Sequence, residues 1–100
     1  MAKRIEKIKK RLKELKPMLV EKYKIKSIGV FGSYVRGEQK KASDLDILVE
    51  FEETADISLF DFIDLENYLS DIFGIKVDLG EKCVLKPRIG AHILKELVAI

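Results

Sequence analysis

Between Asp44 and Phe51 the chain alternates strictly, with Leu45, Ile47, Val49 and Phe51 on one side and Asp44, Asp46, Leu48 and Glu50 on the other. Side chains alternate faces along a strand, so this segment predicts a strand with one face in a core and acid at its start. Such a face has to be covered by a second layer. The flanking sequence offers helices for that layer. Ile5, Ile8, Leu12, Leu15 and Leu19 recur every three or four residues, which predicts an amphipathic helix over residues 2–23. Pro17 falls inside it and predicts a kink or break near Lys16, because proline lacks an amide hydrogen and clashes with the preceding turn. Residues 26–31 read as a short buried strand ending at Gly32, and a brief helical turn can follow over residues 33–37.

Ser58 with Asp61 three residues later resembles a capping box. Leu59, Phe62, Leu65, Leu69 and Ile72 then continue at helical spacing until Gly74, predicting a helix over residues 58–73. Ile75, Val77 and Leu79 alternate with Lys76 and Asp78 in a last strand, and after Pro87 the residues Ile89, Ile93, Leu94 and Leu97 predict a closing helix. The expected order is α-β-α-β-α-β-α. It describes a small mixed β-sheet covered by helices, an α+β (two-layer α/β) fold. Residues 38–42 and then 52–57 are the expected exposed loops.

One hundred residues, 47% hydrophobic, suit one domain spanning residues 1–100. No run approaches the ~18 apolar residues of a membrane span, and the N-terminus is charged, so a soluble cytoplasmic protein is expected. Cys83 has no second cysteine to pair with and reads as a buried thiol. His92, the single histidine, reads as an ordinary helix residue with no metal role. The net charge of +2 conceals an asymmetry. Residues 3–26 carry eleven Lys and Arg against Glu6, Glu14 and Glu21, whereas residues 42–75 contain ten acids and no Lys or Arg. A basic part that attracts phosphate and an acidic part that attracts cations fit this pattern, as do two solvated faces.

Asp44 and Asp46 share one strand face, with Cα atoms about 6.6 Å apart, and can converge on the same cations. Paired divalent ions are the usual device for in-line phosphoryl or nucleotidyl transfer, one acidifying the attacking hydroxyl and the other neutralising the leaving pyrophosphate. Oxygen ligands point to two Mg2+ or Mn2+ ions. Alone, an Asp-x-Asp also marks solvated strand ends, loop calcium sites and sugar-nucleotide transferases. Ten residues upstream, Gly32-Ser33 adds a second half: glycine admits close approach to a phosphate, and serine opening a helical turn offers a hydroxyl and amide hydrogens. Asp78, on the polar side of a later strand, supplies a third carboxylate if the two strands are neighbours.

Gly32-Ser33-Tyr34-Val35-Arg36-Gly37 followed by Ser43-Asp44-Leu45-Asp46-Ile47-Leu48-Val49 resembles the G-S-x10-D-x-D signature of the DNA polymerase β-type nucleotidyltransferase superfamily. It is most similar to the minimal members, the MNT antitoxins of HEPN/MNT toxin–antitoxin pairs. The resemblance extends through Val77-Asp78-Leu79 and Leu85-Lys86-Pro87. It implies the nucleotidyltransferase fold, with a nucleoside triphosphate, expected to be ATP, held by Gly32 and Ser33. It further implies two metals bridged by Asp44 and Asp46, with Asp78 completing the nucleophile-side metal and helping to deprotonate the acceptor. Arg36 matches a basic position that touches either phosphate or a carboxylate. Tyr34 receives no role.

The resemblance implies AMP transfer from ATP to a tyrosine of a HEPN RNase toxin, in a hetero-oligomer or other assembly of unstated stoichiometry. A second reading is a non-catalytic antitoxin that neutralises its partner by contact, with the first helix as interface. A third is nucleotide addition to an RNA end. Direct nucleic-acid binding is disfavoured, because strand-extending relatives generally need further domains and no aromatic-rich basic surface is evident.

Overall fold

The computed structural model describes residues 3–37, 44–81 and 95–100. Its elements are α1 (Lys3–Tyr23), β1 (Ile25–Phe31), α2 (Ser33–Arg36), β2 (Leu45–Phe51), α3 (Leu59–Phe73), β3 (Val77–Glu81) and β4 (Val98–Ala99). They form a mixed α/β fold whose single sheet has the strand order β3-β2-β1-β4. β1 runs antiparallel to β2 and β4, and β2 runs parallel to β3 through the crossover helix α3. Among the described residues no helix is long and apolar enough to cross a membrane.

The alternation in β2 places Leu45, Ile47 and Val49 under the helices, where each is fully buried. Ile28 and Val30 of β1, Val77 and Leu79 of β3, Ile8, Leu12 and Leu19 of α1, and Leu65 and Leu69 of α3 complete this core. α1 runs unbroken through Pro17, so of the expected kink or break the break does not occur. Both Pro17 and Lys13, whose carbonyl loses its partner, are exposed, so water can take the vacant acceptor. The helix stops at Lys24, whose φ of 58° is left-handed and whose N–H donates to the Val20 carbonyl at 3.1 Å.

α3 begins with the predicted capping box: Ser58 accepts the Asp61 N–H, and the Asp61 carboxylate accepts the Ser58 N–H at 3.1 Å. Left-handed Gly74 ends it. Leu59 belongs to the apolar spacing but is exposed, as are Phe60 and, less so, Ile63. α3 also closes the free edge of β3. Ser70 Oγ accepts the Val77 N–H at 3.0 Å and a Glu66 carboxylate oxygen accepts the Leu79 N–H at 2.9 Å, so two edge donors are satisfied by side chains.

The closing helix and its turn are expected mainly on residues 82–94, with Cys83 and His92, which lie outside the described residues, as do residues 38–43 with the loop expected over 38–42. At the end of the chain a fourth strand was not anticipated. β4 pairs with Gly29 and Val30, and Ile100 donates its N–H to the Ile28 carbonyl at 3.0 Å. Gly29 makes room for it: a Cβ there would lie 2.7 Å from Leu97 Cδ1 and 3.0 Å from the Val98 carbonyl oxygen. Leu97 also lies beside Leu48, which is buried on the sheet face away from the helices.

Candidate active site

The acidic residues meet at one end of the sheet because of strand direction. β1 ends where its antiparallel neighbour β2 begins, and β3 begins beside β2 because the two are parallel. In register, Phe31 stands opposite Asp46, and Asp46 stands beside Asp78. Neighbours in register on adjacent strands project from the same face about 4.8 Å apart. Asp44, two residues before Asp46, belongs to that face as well. The Leu45 N–H donates to the Lys76 carbonyl at 2.8 Å and fixes the starts of the two strands together. The face is the one opposite the helical layer, since Leu45, Ile47, Val77 and Leu79 point into the core.

Phe31 leads directly into Gly32, so the turn before α2 lies against Asp46. Gly32 has φ 84° and ψ −154°, a conformation open essentially to glycine alone. Any Cβ there would run into the Asp46 carboxylate. The Gly32 carbonyl accepts the N–H groups of Val35 and Arg36 at 3.1 and 3.2 Å, starting the short helix. Tyr34, left without a role by the sequence, is buried in the core and anchors that helix. Arg36 pairs with Glu96, Nη1 lying 2.9 Å from Oε2, so of its two expected contacts this structure displays the carboxylate. Gly32, Ser33, Asp44, Asp46 and Asp78 are thus gathered at one end of the sheet, with Arg36 at its rim.

The electrostatics follow from the crowding. Burial first, then the charges of Asp78 and Asp44, raise the Asp46 carboxyl from 3.8 to about 6, while Arg36 pulls it down and Glu96 adds to the rise. A carboxylate so disfavoured gains from a cation beside it. Among the described residues no three His, Cys, Asp or Glu side chains form a ready-made metal cage. Asp46 and its neighbours Asp44 and Asp78 offer oxygen donors only, the donor type that Mg2+ takes together with waters and substrate phosphates. The oxygen donors and the strained Asp46 therefore fit the expected ions. A groove of about 720 Å3 around Glu50, Phe51 and Leu59 lies at the other end of β2 and has no part in this arrangement.

A family model described as a nucleotidyltransferase domain matches residues 5–100. The chain belongs to that family. The nucleotidyltransferase domain is 52% identical over 99 residues to a Methanocaldococcus jannaschii protein named as a candidate protein adenylyltransferase, covering 98% of this chain and 99% of the relative. It is 48% identical over 96 residues to the protein adenylyltransferase MntA of Thermococcus cleftensis, covering 96% and 95%. A solved structure described as a candidate minimal nucleotidyltransferase superimposes with a TM-score of 0.78 at 33% identity, covering 95% of this chain and 94% of that one. The same fold occurs at 21% identity and a TM-score of 0.57 in a complex of a tri-AMPylated Shewanella oneidensis HEPN toxin with an MNT antitoxin, covering 76% and 56%. The resemblance read from the motif is therefore borne out, and the protein is an enzyme of the nucleotidyltransferase class.

Two features of the site had no sequence signal in the motif. Glu96, sixty residues from Arg36, reaches the turn only through the fold. The edge-closing pair Glu66 and Ser70 looks like any solvated helix face until β3 is placed beside it.

Proposed function

We propose that this nucleotidyltransferase is a protein adenylyltransferase antitoxin that moves AMP from ATP to a tyrosine hydroxyl of a HEPN-family toxin in the cytoplasm. The observation that carries the reading is the contact between Gly32 and Asp46 with Asp78 in register beside it, which sets a phosphate-admitting turn against paired acids. The relatives named as protein adenylyltransferases support a protein acceptor, and the AMPylated HEPN toxin complex supports its kind.

In this reading Gly32 and Ser33 receive the triphosphate, with Arg36 at the phosphate side. Asp44 and Asp46 would hold two Mg2+ or Mn2+ ions, with Asp78 on the acceptor side. Bound there, the ions lower the pKa of the acceptor hydroxyl and neutralise the leaving pyrophosphate. Asp78, the exposed one beside half-buried Asp46, takes the hydroxyl proton as the tyrosine oxygen bonds to the α-phosphorus and pyrophosphate departs. Asp46 holds its charge only at a cost, which a cation bound beside it would offset.

The test is incorporation of label from [α-32P]ATP with Mg2+ into a purified HEPN-family protein, sought first in the adjacent reading frame. Asp44→Ala is expected to abolish labelling while the circular dichroism spectrum is retained. Labelling that survives Asp44→Ala removes the catalytic assignment. Protection of cells by Asp46→Asn without labelling would instead favour neutralisation by contact.

A further inference from the structure

Glu96 lies outside the motif, yet it ties the turn together. Its Oε1 accepts the Gly32 backbone N–H at 3.1 Å. The same carboxylate accepts from Arg36 Nη1 at 3.1 and 2.9 Å through its two oxygens. The Glu96 side chain is 20% exposed against 43% for Arg36, so the bond is sheltered mainly on the glutamate side. Gly32 is consequently held from two directions, by Glu96 at its N–H and by Asp46 against its Cα. Backbone held in a sparsely populated region persists only where its surroundings over-determine it, and a carboxylate on an amide makes a charge-assisted bond suited to that task.

We propose that Glu96 is a positioning residue for the nucleotide triphosphate, fixing the Gly32 peptide and Arg36 in the arrangement that the phosphates meet. This rests on the reading of Gly32, Ser33 and Arg36 as the phosphate side of the site. Glu96 acts on the amide of Gly32, whereas the phosphate reading uses the Ser33 hydroxyl and the amides that follow, so carboxylate and phosphate draw on different donors of the turn. The strand β4 gives Glu96 its place: it starts two residues later and is anchored by pairing with Gly29 and Val30. Glu96 is thereby connected to the geometry of a turn whose Gly32 and Arg36 lie 64 and 60 residues away.

The experiment is calorimetric titration of the full chain with AMP-PNP in excess Mg2+, alongside thermal denaturation. Glu96→Ala is expected to raise Kd about tenfold, and Glu96→Gln by less, because the glutamine oxygen still accepts from Gly32 and Arg36 although its NH2 replaces the oxygen that meets Arg36 Nη1 at 2.9 Å. Glu96→Asp keeps the charge but shortens the reach by one methylene; it is expected to weaken binding as alanine does, and it serves where alanine does not fold. Unchanged or tighter binding by Glu96→Ala or Glu96→Asp overturns the proposal, since a carboxylate that competed with phosphate would act in that direction. Glutamine as weak as alanine also overturns it. Wild-type protein that does not bind Mg2+–AMP-PNP overturns the nucleotide reading of the site, and this inference with it.

Discussion

Replacing Gly32 with alanine perturbs the tightest contact in the site, and its cost can be built from two parts. The backbone at φ 84°, ψ −154° lies in a region nearly closed to residues with a Cβ, which costs about 2–3 kcal/mol. The new methyl must also displace the Asp46 carboxylate, and forced repacking of this kind costs about 1–3 kcal/mol. Together about 3–6 kcal/mol is a large share of the roughly 5–15 kcal/mol that holds a domain folded. At about 4–8 °C per kcal/mol for a domain of this size, the melting temperature should fall by about 12–48 °C. Gly37→Ala is the control: φ is 72°, nothing lies within 4 Å of its added Cβ, and about 1 kcal/mol is expected. In an Asp46→Ala background the carboxylate is gone, so Gly32→Ala should lose only its backbone part. Thermal denaturation of the wild type and the four variants by circular dichroism measures both parts. If Gly32→Ala costs no more than Gly37→Ala, the turn is not pressed against Asp46 and the site geometry argued above is wrong.

Two further outcomes follow from the titrating groups. Asp46 has a folded-state pKa raised from 3.8 to about 6, so its contribution is fully present below about pH 4 and is lost as pH rises through about 6. Metal-free protein should lose about 1–2 kcal/mol relative to Asp46→Asn over that window, after discounting for partial exposure, and Mg2+ should restore it at pH 7.5. Urea midpoints that show no such difference would contradict the crowding of Asp46 by Asp78 and Asp44. Tyr23, buried under α3, donates to Asp64 at 2.9 Å, and burial followed by that bond pushes its phenol up to about 12. Its stabilisation is present below pH 10 and lost as pH rises through 12; absorbance at 295 nm should show this late titration. Asp64→Ala should lower the phenol pKa and cost about 1 kcal/mol.

The strands and helices were legible wherever a single period repeated without interruption. β2 and α3 match their patterns because alternation and 3.6-residue spacing are local properties, and the Ser58–Asp61 box lies within three residues. That Pro17 does not break α1 was not legible, because its effect depends on whether the carbonyl it abandons can reach water. β4 escaped notice because two residues carry no period and pair only once Gly29 offers room. Leu59 fits the apolar spacing of α3 and is nevertheless exposed.

The sequence by itself determined the chemistry available: which residues carry oxygen ligands, where a glycine can turn, and how far apart the two halves of the motif stand along the chain. It left the adjacency of Asp78 conditional on the neighbourhood of two strands. Tertiary structure decided that point, by running β3 parallel to β2 so that Asp78 enters register with Asp46. It also decided that Gly32 lies against Asp46 and that Glu96 closes on both Gly32 and Arg36. The division has a physical cause: a period along the chain records which face a residue occupies, while contacts between distant segments depend on strand direction and register, which only packing of the whole sheet fixes.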